Sequence, residues 1–289
     1  MLALLSKLGA CRRKIETNTA SPLTLLPANP VPPVTVTRTV EILPKDIEVE
    51  LSQLREALAI AGAPPLPPAH LQRRVVGGYV SDFIRSGDIL LADFERILTR
   101  SSFSLNDCKS VLDFGVGCGR VLRRFAETRP NHELAGADID QEAIEWLKAN
   151  YSRFGNFILL PHTPPCSLPS AYFDLIYSVS VFTHLDLRMQ DQWLTELKRA
   201  SKPGGFLIVT VHGDNYLQQF PPDVQTKAAK DGAFYNENAG LTEGLPDFYK
   251  NTYHTKEYIM QHWARFFEIV DYDPMGGANH QDLILMRNS

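Results

Sequence analysis

The 289-residue sequence predicts an α/β fold: a doubly wound, mostly parallel, seven-stranded sheet with an antiparallel hairpin at its edge and an N-terminal helical extension. Two observations lead to this prediction. From residue 110 onward, short apolar runs alternate with amphipathic stretches, which is the order of a parallel sheet with helices on both faces. The last two apolar runs lie close together in the sequence, as the strands of an antiparallel hairpin do.

Proline-rich segments divide the first hundred residues. Prolines crowd 21–33 and 63–68, so neither segment can form a helix or a central strand. We therefore expect residues 1–45 to form a flexible extension. Residues 46–105 are expected to form a helical cap against the main domain, because two stretches within them carry apolar residues at helical spacing: 47–61 and 80–98.

The main domain is expected over residues 106–289. Its predicted strands are 111–114, 134–137, 157–160, 173–179, 206–211, 267–272 and 282–286, and its first predicted helices are 121–127 and 141–150. An insertion at about 213–255 is rich in Asn, Gly, Pro and aromatic residues. We interpret it as a segment that covers the substrate, because loops of this length in compact domains are usually functional or disordered.

Charge and cysteine content exclude several classes of function. The net charge is −4 and no Lys/Arg run exceeds the short stretch 11–14, so we do not expect nucleic acid as a partner. The four cysteines lack zinc-site spacing, so no metal is predicted, and their number and positions favour a reduced, cytoplasmic protein. No stretch approaches the 18 or so apolar residues that a membrane span requires.

The strongest chemical signal is a strand that runs into three alternating glycines, Gly115, Gly117 and Gly119. Glycine allows the backbone angles of a tight turn and the close approach of a ligand. A dinucleotide fingerprint would read G-x-G-x-x-G, whereas this loop reads G-x-G-x-G and follows Asp113. This spacing favours a cofactor with a cationic amino-acid end over a pyrophosphate, although a tight turn without a ligand is the alternative for the loop alone.

A second acidic site stands at the tip of the next predicted strand. Asp138 follows Gly136-Ala137, where its carboxylate could accept hydrogen bonds from both hydroxyls of a ribose. The alternative is a capping role at the following helix. We expect that role for Asp140, which immediately precedes the helix.

In these features the sequence resembles the class I S-adenosylmethionine-dependent methyltransferases across roughly residues 110–286. The motifs that carry the resemblance stand in the family's order: 111–120 (VLDFGVGCGR), 136–140 (GADID), 173–177 (FDLIY) and 202–206 (KPGGF). The resemblance implies S-adenosylmethionine as cofactor and a turn at Lys202–Gly205 before the fifth strand. One departure is the region after the third strand, His162–Ser167, which lacks the acidic residue that the family often uses to hold the adenine amine.

The resemblance also assigns roles to single residues. Asp113 and the three glycines would hold the methionine end of the cofactor, and Asp138 would hold the ribose. The candidate cofactor-binding set also includes Arg120 after the loop, Ile139 against the adenine and Ser180 at the carboxyl end of the fourth predicted strand.

The segment 178–185 (SVSVFTHL) resembles a subset of these enzymes associated with sugars and secondary metabolites. A hydroxyl acceptor benefits most from a general base, because it carries a proton that must leave. We therefore expect O-methylation of a small molecule or a sugar-containing acceptor. Of four histidines considered, His184, His254 and His280 are the catalytic candidates ahead of His212, with packing or capping as the alternative for each.

Two other functions are compatible with this fold class. A catalytically silent methyltransferase-like domain could bind a partner or sense the cofactor with the same glycines and the same acid. A nicotinamide-dependent oxidoreductase is disfavoured by the glycine spacing.

Overall fold

The computed structural model describes residues 64–76, 82–237, 246 and 248–289. The predicted extension 1–45 and the predicted helix 47–61 lie outside the described residues. The described helices are α1 Ala69–Val76, α2 Asp82–Arg100, α3 Arg120–Thr128, α4 Gln141–Tyr151, α5 Leu187–Ala200, α6 Asp214–Leu217, α7 Pro222–Asp231 and α8 Lys256–His262. The strands are β1 Ser110–Phe114, β2 Glu133–Asp138, β3 Asn156–Leu159, β4 Phe173–Ser178, β5 Ser201–Val211, β6 Ala233–Asn236, β7 Asn251–His254, β8 Glu268–Gly277 and β9 Gln281–Arg287.

Seven of these strands form one sheet in the order β3-β2-β1-β4-β5-β9-β8. The first five are parallel to one another, whereas β9 runs antiparallel to both β5 and β8. The predicted fold class is therefore confirmed. Within the hairpin, the later strand β9 takes the interior position and β8 takes the edge.

The sheet separates two apolar layers because successive residues of a strand face opposite sides. In β1, Val111 belongs to the core that includes α2, α3 and α4, and Leu112 belongs to the core that includes α5 and α8. Helix α2 buries one apolar face against the first layer, where the Phe94 ring lies 5.2 Å from the Tyr177 ring. From Asp82 onward, the periodic stretch 80–98 is thus a helix that packs on the core of the sheet.

The start of the fifth strand differs from the sequence-based prediction. Strand β5 begins at Ser201, so the predicted turn Lys202–Gly205 lies inside the strand, where the pairing with β4 shifts register. Helix α5 begins after the Asp186 cap, whose side chain accepts from the Met189 amide. His184 lies in the turn before this helix.

The insertion forms two short helices, α6 and α7, and a small antiparallel sheet of β6 and β7. Strand β7 is attached to the main domain by backbone hydrogen bonds from Thr252 N to Thr183 O (2.6 Å) and from His254 N to His212 O (2.8 Å). The insertion is therefore fixed beside the carboxyl ends of β4 and β5. Among the helices that the structure describes, none combines the length and apolarity needed to cross a membrane.

Candidate active site

A cavity of about 830 Å³ lies at the carboxyl ends of the parallel strands, where doubly wound folds bind ligands. Its wall combines the loop after β1, the ends of β2, β4 and β5, helix α1 and part of the insertion. All the predicted cofactor-binding residues except Gly119 line it. Of the three catalytic candidates, His184 and His280 line it and His254 does not.

The glycine loop has the geometry that its sequence predicts. Gly115, Gly117 and Gly119 have φ values of +83°, +50° and +88°, which residues with a Cβ rarely adopt. A Cβ on Gly115 would lie 2.1 Å from Val181 Cγ2, and one on Gly117 would lie 2.7 Å from Val75 Cγ2. The loop is therefore packed closely on two sides, and its backbone forms part of the cavity wall.

Asp138 ties the loop to the end of β2. Its Oδ2 accepts from the Gly117 amide at 2.6 Å, and its Oδ1 accepts from the Asp140 amide at 2.9 Å. Burial raises the pKa of Asp138, while these backbone donors oppose that change. Asp140 caps α4 through the Ala143 amide, which confirms the expectation for that residue.

The carboxyl group of Asp113 and the guanidinium of Arg120 are both buried next to the glycine loop. The Asp113 carboxylate is 4 % exposed and accepts a 2.8 Å hydrogen bond from the Tyr177 hydroxyl. Burial raises the pKa of Asp113 to about 7, against the opposing effects of this bond and of nearby Arg120. Arg120 Nε is buried and has no hydrogen-bond partner in the part of the chain that the structure describes. This guanidinium can therefore receive an anionic group from a ligand.

Helix α1 covers the loop on one side. Arg74 donates to both carboxylate oxygens of Asp140, at 3.2 and 2.9 Å, and to Glu142 at 2.6 Å. These ion pairs fix α1 to the start of α4, and Val75 of the same helix packs against Gly117. From the sequence, a helix in this region was expected to close over the cofactor, with Arg74 or Tyr79 contacting the methionine carboxylate; Arg74 is instead paired with Asp140 and Glu142, and Tyr79 lies outside the described residues.

Ser180 has a positive φ of +59°, which is uncommon for a residue with a side chain and costs about 1–3 kcal/mol. Its amide donates to Thr210 Oγ1 at 2.9 Å, and its hydroxyl donates to Gln281 Oε1 at 3.0 Å. Gln281 Nε2 in turn donates to His212 Nε2 at 3.3 Å. A chain of hydrogen bonds thus joins the ends of β4, β5 and β9 along the cavity.

Three histidines line the end of the cavity that Ser180 and Gln281 form: His184, His212 and His280. The His184 Nδ1–H donates to the Lys250 carbonyl at 2.7 Å, and its ring stacks on Tyr249 with centroids 4.0 Å apart. His280 Nδ1 is hydrogen-bonded to the Tyr216 hydroxyl at 2.6 Å. Burial lowers the pKa of each histidine, that of His212 to about 4, so all three are neutral near pH 7.

His254 occupies a different place. Its side chain is fully buried, and its Nε2–H donates to Gln190 Oε1 at 3.0 Å beneath the insertion. Burial lowers its pKa to about 3. The structure does not bring His254 to the cavity, because β7 is buried between the insertion and the main domain; His212, which follows β5, lines the cavity. His212 ends β5 at the same sheet edge as Ser180, which is the signal that could have ranked it higher.

These residues fit S-adenosylmethionine. The buried Nε–H of Arg120, which has no hydrogen-bond partner among the described residues, can meet the carboxylate of the methionine end, and the Asp138 carboxylate one strand away can meet the ribose hydroxyls. Ile139 adds an apolar wall next to Asp138. Within the described ranges, no group of three or more His, Cys, Asp or Glu side chains could hold a metal ion.

Comparison with known proteins agrees with this site. Residues 111–205 match the family model described as a methyltransferase domain. A methyltransferase from Methanosarcina mazei is 18 % identical over 62 % of this chain and 91 % of its own, with a TM-score of 0.44. A Burkholderia thailandensis 1,6-didemethyltoxoflavin N1-methyltransferase, crystallised with S-adenosylhomocysteine, is 16 % identical over 88 % and 93 %, with a TM-score of 0.49.

A geranyl diphosphate C-methyltransferase from Streptomyces coelicolor A3(2) is 10 % identical over 68 % of this chain and 76 % of its own, with a TM-score of 0.46. The family match covers β1 to the start of β5 and includes both the glycine loop and Asp138. Residues 111–205, which include the glycine loop and Asp138, therefore match a methyltransferase domain, and the sheet around them has the doubly wound order predicted from the sequence.

Proposed function

We propose that this methyltransferase methylates a hydroxyl oxygen of a small or sugar-containing acceptor, with His184 as general base. The observation that carries the proposal is the hydrogen bond from His184 Nδ1–H to the Lys250 carbonyl. Because this bond requires the proton on Nδ1, the Nε2 atom of the neutral ring holds a free electron pair. The lowered pKa of His184 keeps the ring neutral near pH 7.

The protein's own groups divide the work between two ends of the cavity. Asp138 orients the ribose, Arg120 holds the cofactor's carboxylate, and the backbone of the glycine loop shapes the space between them. When bound, the cofactor supplies a methyl group on a positively charged sulfur, which leaves as a neutral thioether. His184 Nε2 accepts the proton of the acceptor hydroxyl as that oxygen becomes bonded to carbon.

The chemistry of the acceptor end favours an uncharged acceptor. Its described lining contains neutral histidines, aliphatic side chains, one hydroxyl and one amide: Val179, Ser180, Val181, His184, His212, His280 and Gln281. A charged acceptor would lose its hydration here without gaining an opposite charge. The Tyr216–His280 pair and the Gln281 amide supply hydrogen-bonding groups that can orient a hydroxylated ring.

The test is methyl transfer from S-adenosylmethionine to a panel of uncharged phenols, alcohols and sugar derivatives, with the wild-type protein and H184Q. We expect H184Q to lower kcat by about 10²- to 10⁴-fold while S-adenosylhomocysteine affinity stays the same. The wild-type rate should fall only below pH 6.5, because the base must be unprotonated and burial lowers its pKa. That acid limb should disappear in H184Q.

Two results would count against the proposal. A product methylated on nitrogen or carbon would refute the hydroxyl acceptor. An H184Q variant with wild-type kcat would refute His184 as the general base. The silent-domain alternative predicts that the protein binds S-adenosylhomocysteine but transfers no methyl group to any acceptor of the panel.

A further inference from the structure

The rim of the cavity beside β3 is built differently from what the sequence resemblance implies. No carboxylate occurs between 160 and 167, where the adenine amine would be held. An aromatic side chain of the insertion lies there instead. The Phe248 ring meets the His162 ring edge-on, with centroids 5.4 Å apart and an interplanar angle of 67°. Both rings line the cavity, as do Ile139 and Leu160.

The segment that carries Phe248 is held by several hydrogen bonds. The Tyr235 hydroxyl donates to the Phe248 carbonyl at 2.7 Å, and the Lys250 amide donates to the same carbonyl at 2.9 Å. The next residues are fixed to the main domain, because the Lys250 carbonyl accepts from His184 and Thr252 pairs with Thr183. Phe248 and Tyr249 are thus presented to the cavity from a defined backbone.

Tyr249 extends this wall toward the ribose side. Its ring covers His184, and it lines the same cavity as Asp138. Burial, with a smaller contribution from the negative charge of Asp138, raises the pKa of Tyr249. The hydroxyl therefore stays protonated and can donate a hydrogen bond to a ligand in the cavity.

We propose that Phe248 and Tyr249 of the insertion close the adenosine subsite, so that the adenine ring is bound by its flat face and not through its exocyclic amine. Ile139, His162 and Phe248 form the walls of a slot for the ring, and Tyr249 covers the ribose held by Asp138. Aromatic stacking on a base does not depend on the base's hydrogen-bonding pattern, because every base has a π-face. The inference rests on cofactor binding and is independent of the methylated atom.

Calorimetric titration tests this directly, with S-adenosylhomocysteine and with its 6-oxo analogue S-inosylhomocysteine as probes. We expect F248A to weaken S-adenosylhomocysteine binding by about 5- to 150-fold, which is the range for loss of one base–aromatic stack. F248L, which keeps apolar volume without the aromatic face, should fall between F248A and wild type. Wild-type protein should bind both probes within about threefold of each other, because no carboxylate reads the amine.

The matched control is F234A, which removes an aromatic side chain of the same insertion that packs on Phe220 and Tyr253, away from the cavity. Its affinity should stay within about twofold of wild type. Equal affinities of F248A and wild type, or a large preference of the wild type for the adenine probe, would overturn the inference. Absence of S-adenosylhomocysteine binding by the wild type would overturn the cofactor assignment itself, and a loss of methyl transfer alone would bear only on the proposed function.

Discussion

The two ends of the cavity are built on different principles. The centre of the cofactor end comes from a short piece of chain, 113–140, and uses backbone amides, left-handed glycines and charged side chains, with α1 packed on one side. The acceptor end joins side chains from distant segments, namely the turn after β4, the end of β5, the insertion and the start of β9. Local sequence therefore encodes the first end, whereas tertiary packing creates the second.

Their electrostatics differ in the same way. The cofactor end holds Arg120, Asp113 and Asp138 in partly or fully buried positions, and it suits a zwitterionic ligand. The acceptor end holds histidines whose pKa values burial lowers, and it suits an uncharged ligand. Substitutions at the two ends should therefore separate cofactor affinity from acceptor chemistry.

The largest effect is expected for D138A. Hydrogen bonds to a charged group contribute about 1.5–3 kcal/mol each, so losing two ribose contacts should weaken S-adenosylhomocysteine binding by about 100-fold or more. Titration calorimetry measures the affinity, and thermal unfolding checks that the variant folds. E145A removes an exposed carboxylate of α4 and should leave the affinity unchanged. Wild-type affinity in D138A would refute the ribose assignment.

Two glycine substitutions compare the backbone of the cofactor loop with a position that does not line the cavity. Gly115 and Gly204 have similar φ values, +83° and +78°, so alanine at either position should cost about 1–2 kcal/mol of unfolding free energy. In G115A the new Cβ also meets Val181 Cγ2 at 2.1 Å, and such overpacking costs about 1–3 kcal/mol more. At Gly204 the nearest atom, Arg287 Nη2, lies at 3.6 Å.

Urea unfolding and S-adenosylhomocysteine titration of both variants separate these contributions. G115A should lose more stability than G204A and should bind the cofactor product more weakly, whereas G204A should keep wild-type affinity. Equal losses in both variants would show that the loop's contact with Val181 is unimportant.

The smallest expected effect is on the pH dependence of the unfolding free energy, through the buried side chain of His254. The pKa of His254 falls from 6.5 to about 3 in the folded protein, so below pH 6.5 the unfolded chain binds a proton that the folded chain does not. The stability that neutral His254 provides is complete above pH 6.5 and is lost as the pH falls toward 3, by about 1.4 kcal/mol per pH unit. H254Q should reduce this pH dependence between pH 6.5 and 5 in urea unfolding series.

A pH dependence in H254Q as steep as in the wild type would assign the acid sensitivity to other groups. Because His254 does not line the cavity, the cofactor affinity of H254Q should remain that of the wild type.

Much of the fold could be predicted from sequence because its signals are local. Alternating apolar and amphipathic segments predict all seven strands of the main sheet, and the loop of three glycines predicts where the cofactor end lies. The same reasoning predicted the Asp140 cap, which depends on a residue a few positions away and is observed; the ribose contact of Asp138 stays a prediction. It misplaced the start of β5, since a strand with a register shift looks like a turn in sequence.

The acceptor end was harder to predict because its residues meet only in the folded chain. Whether a histidine reaches the cavity depends on which face of a strand it occupies, and a short strand such as β7 has too few residues to reveal its inward face. His254 was preferred to His212 because it ends the insertion and was expected to face the cleft from the lid side. Gln281 carries no motif. The sequence led us to expect that Phe248 and Tyr249 stack on a substrate or pack within a lid, and that Arg74 contacts the cofactor's carboxylate, whereas its observed partner is Asp140.

The interior position of β9 has a consequence for how the protein matures. This strand is the last along the sequence, yet it separates β5 from β8 and brings His280 and Gln281 to the cavity. During synthesis the glycine loop and Asp138 are available long before β9 leaves the ribosome. A nascent chain can thus acquire the nucleoside-binding half first, while the half that selects the substrate waits for the final strand to insert.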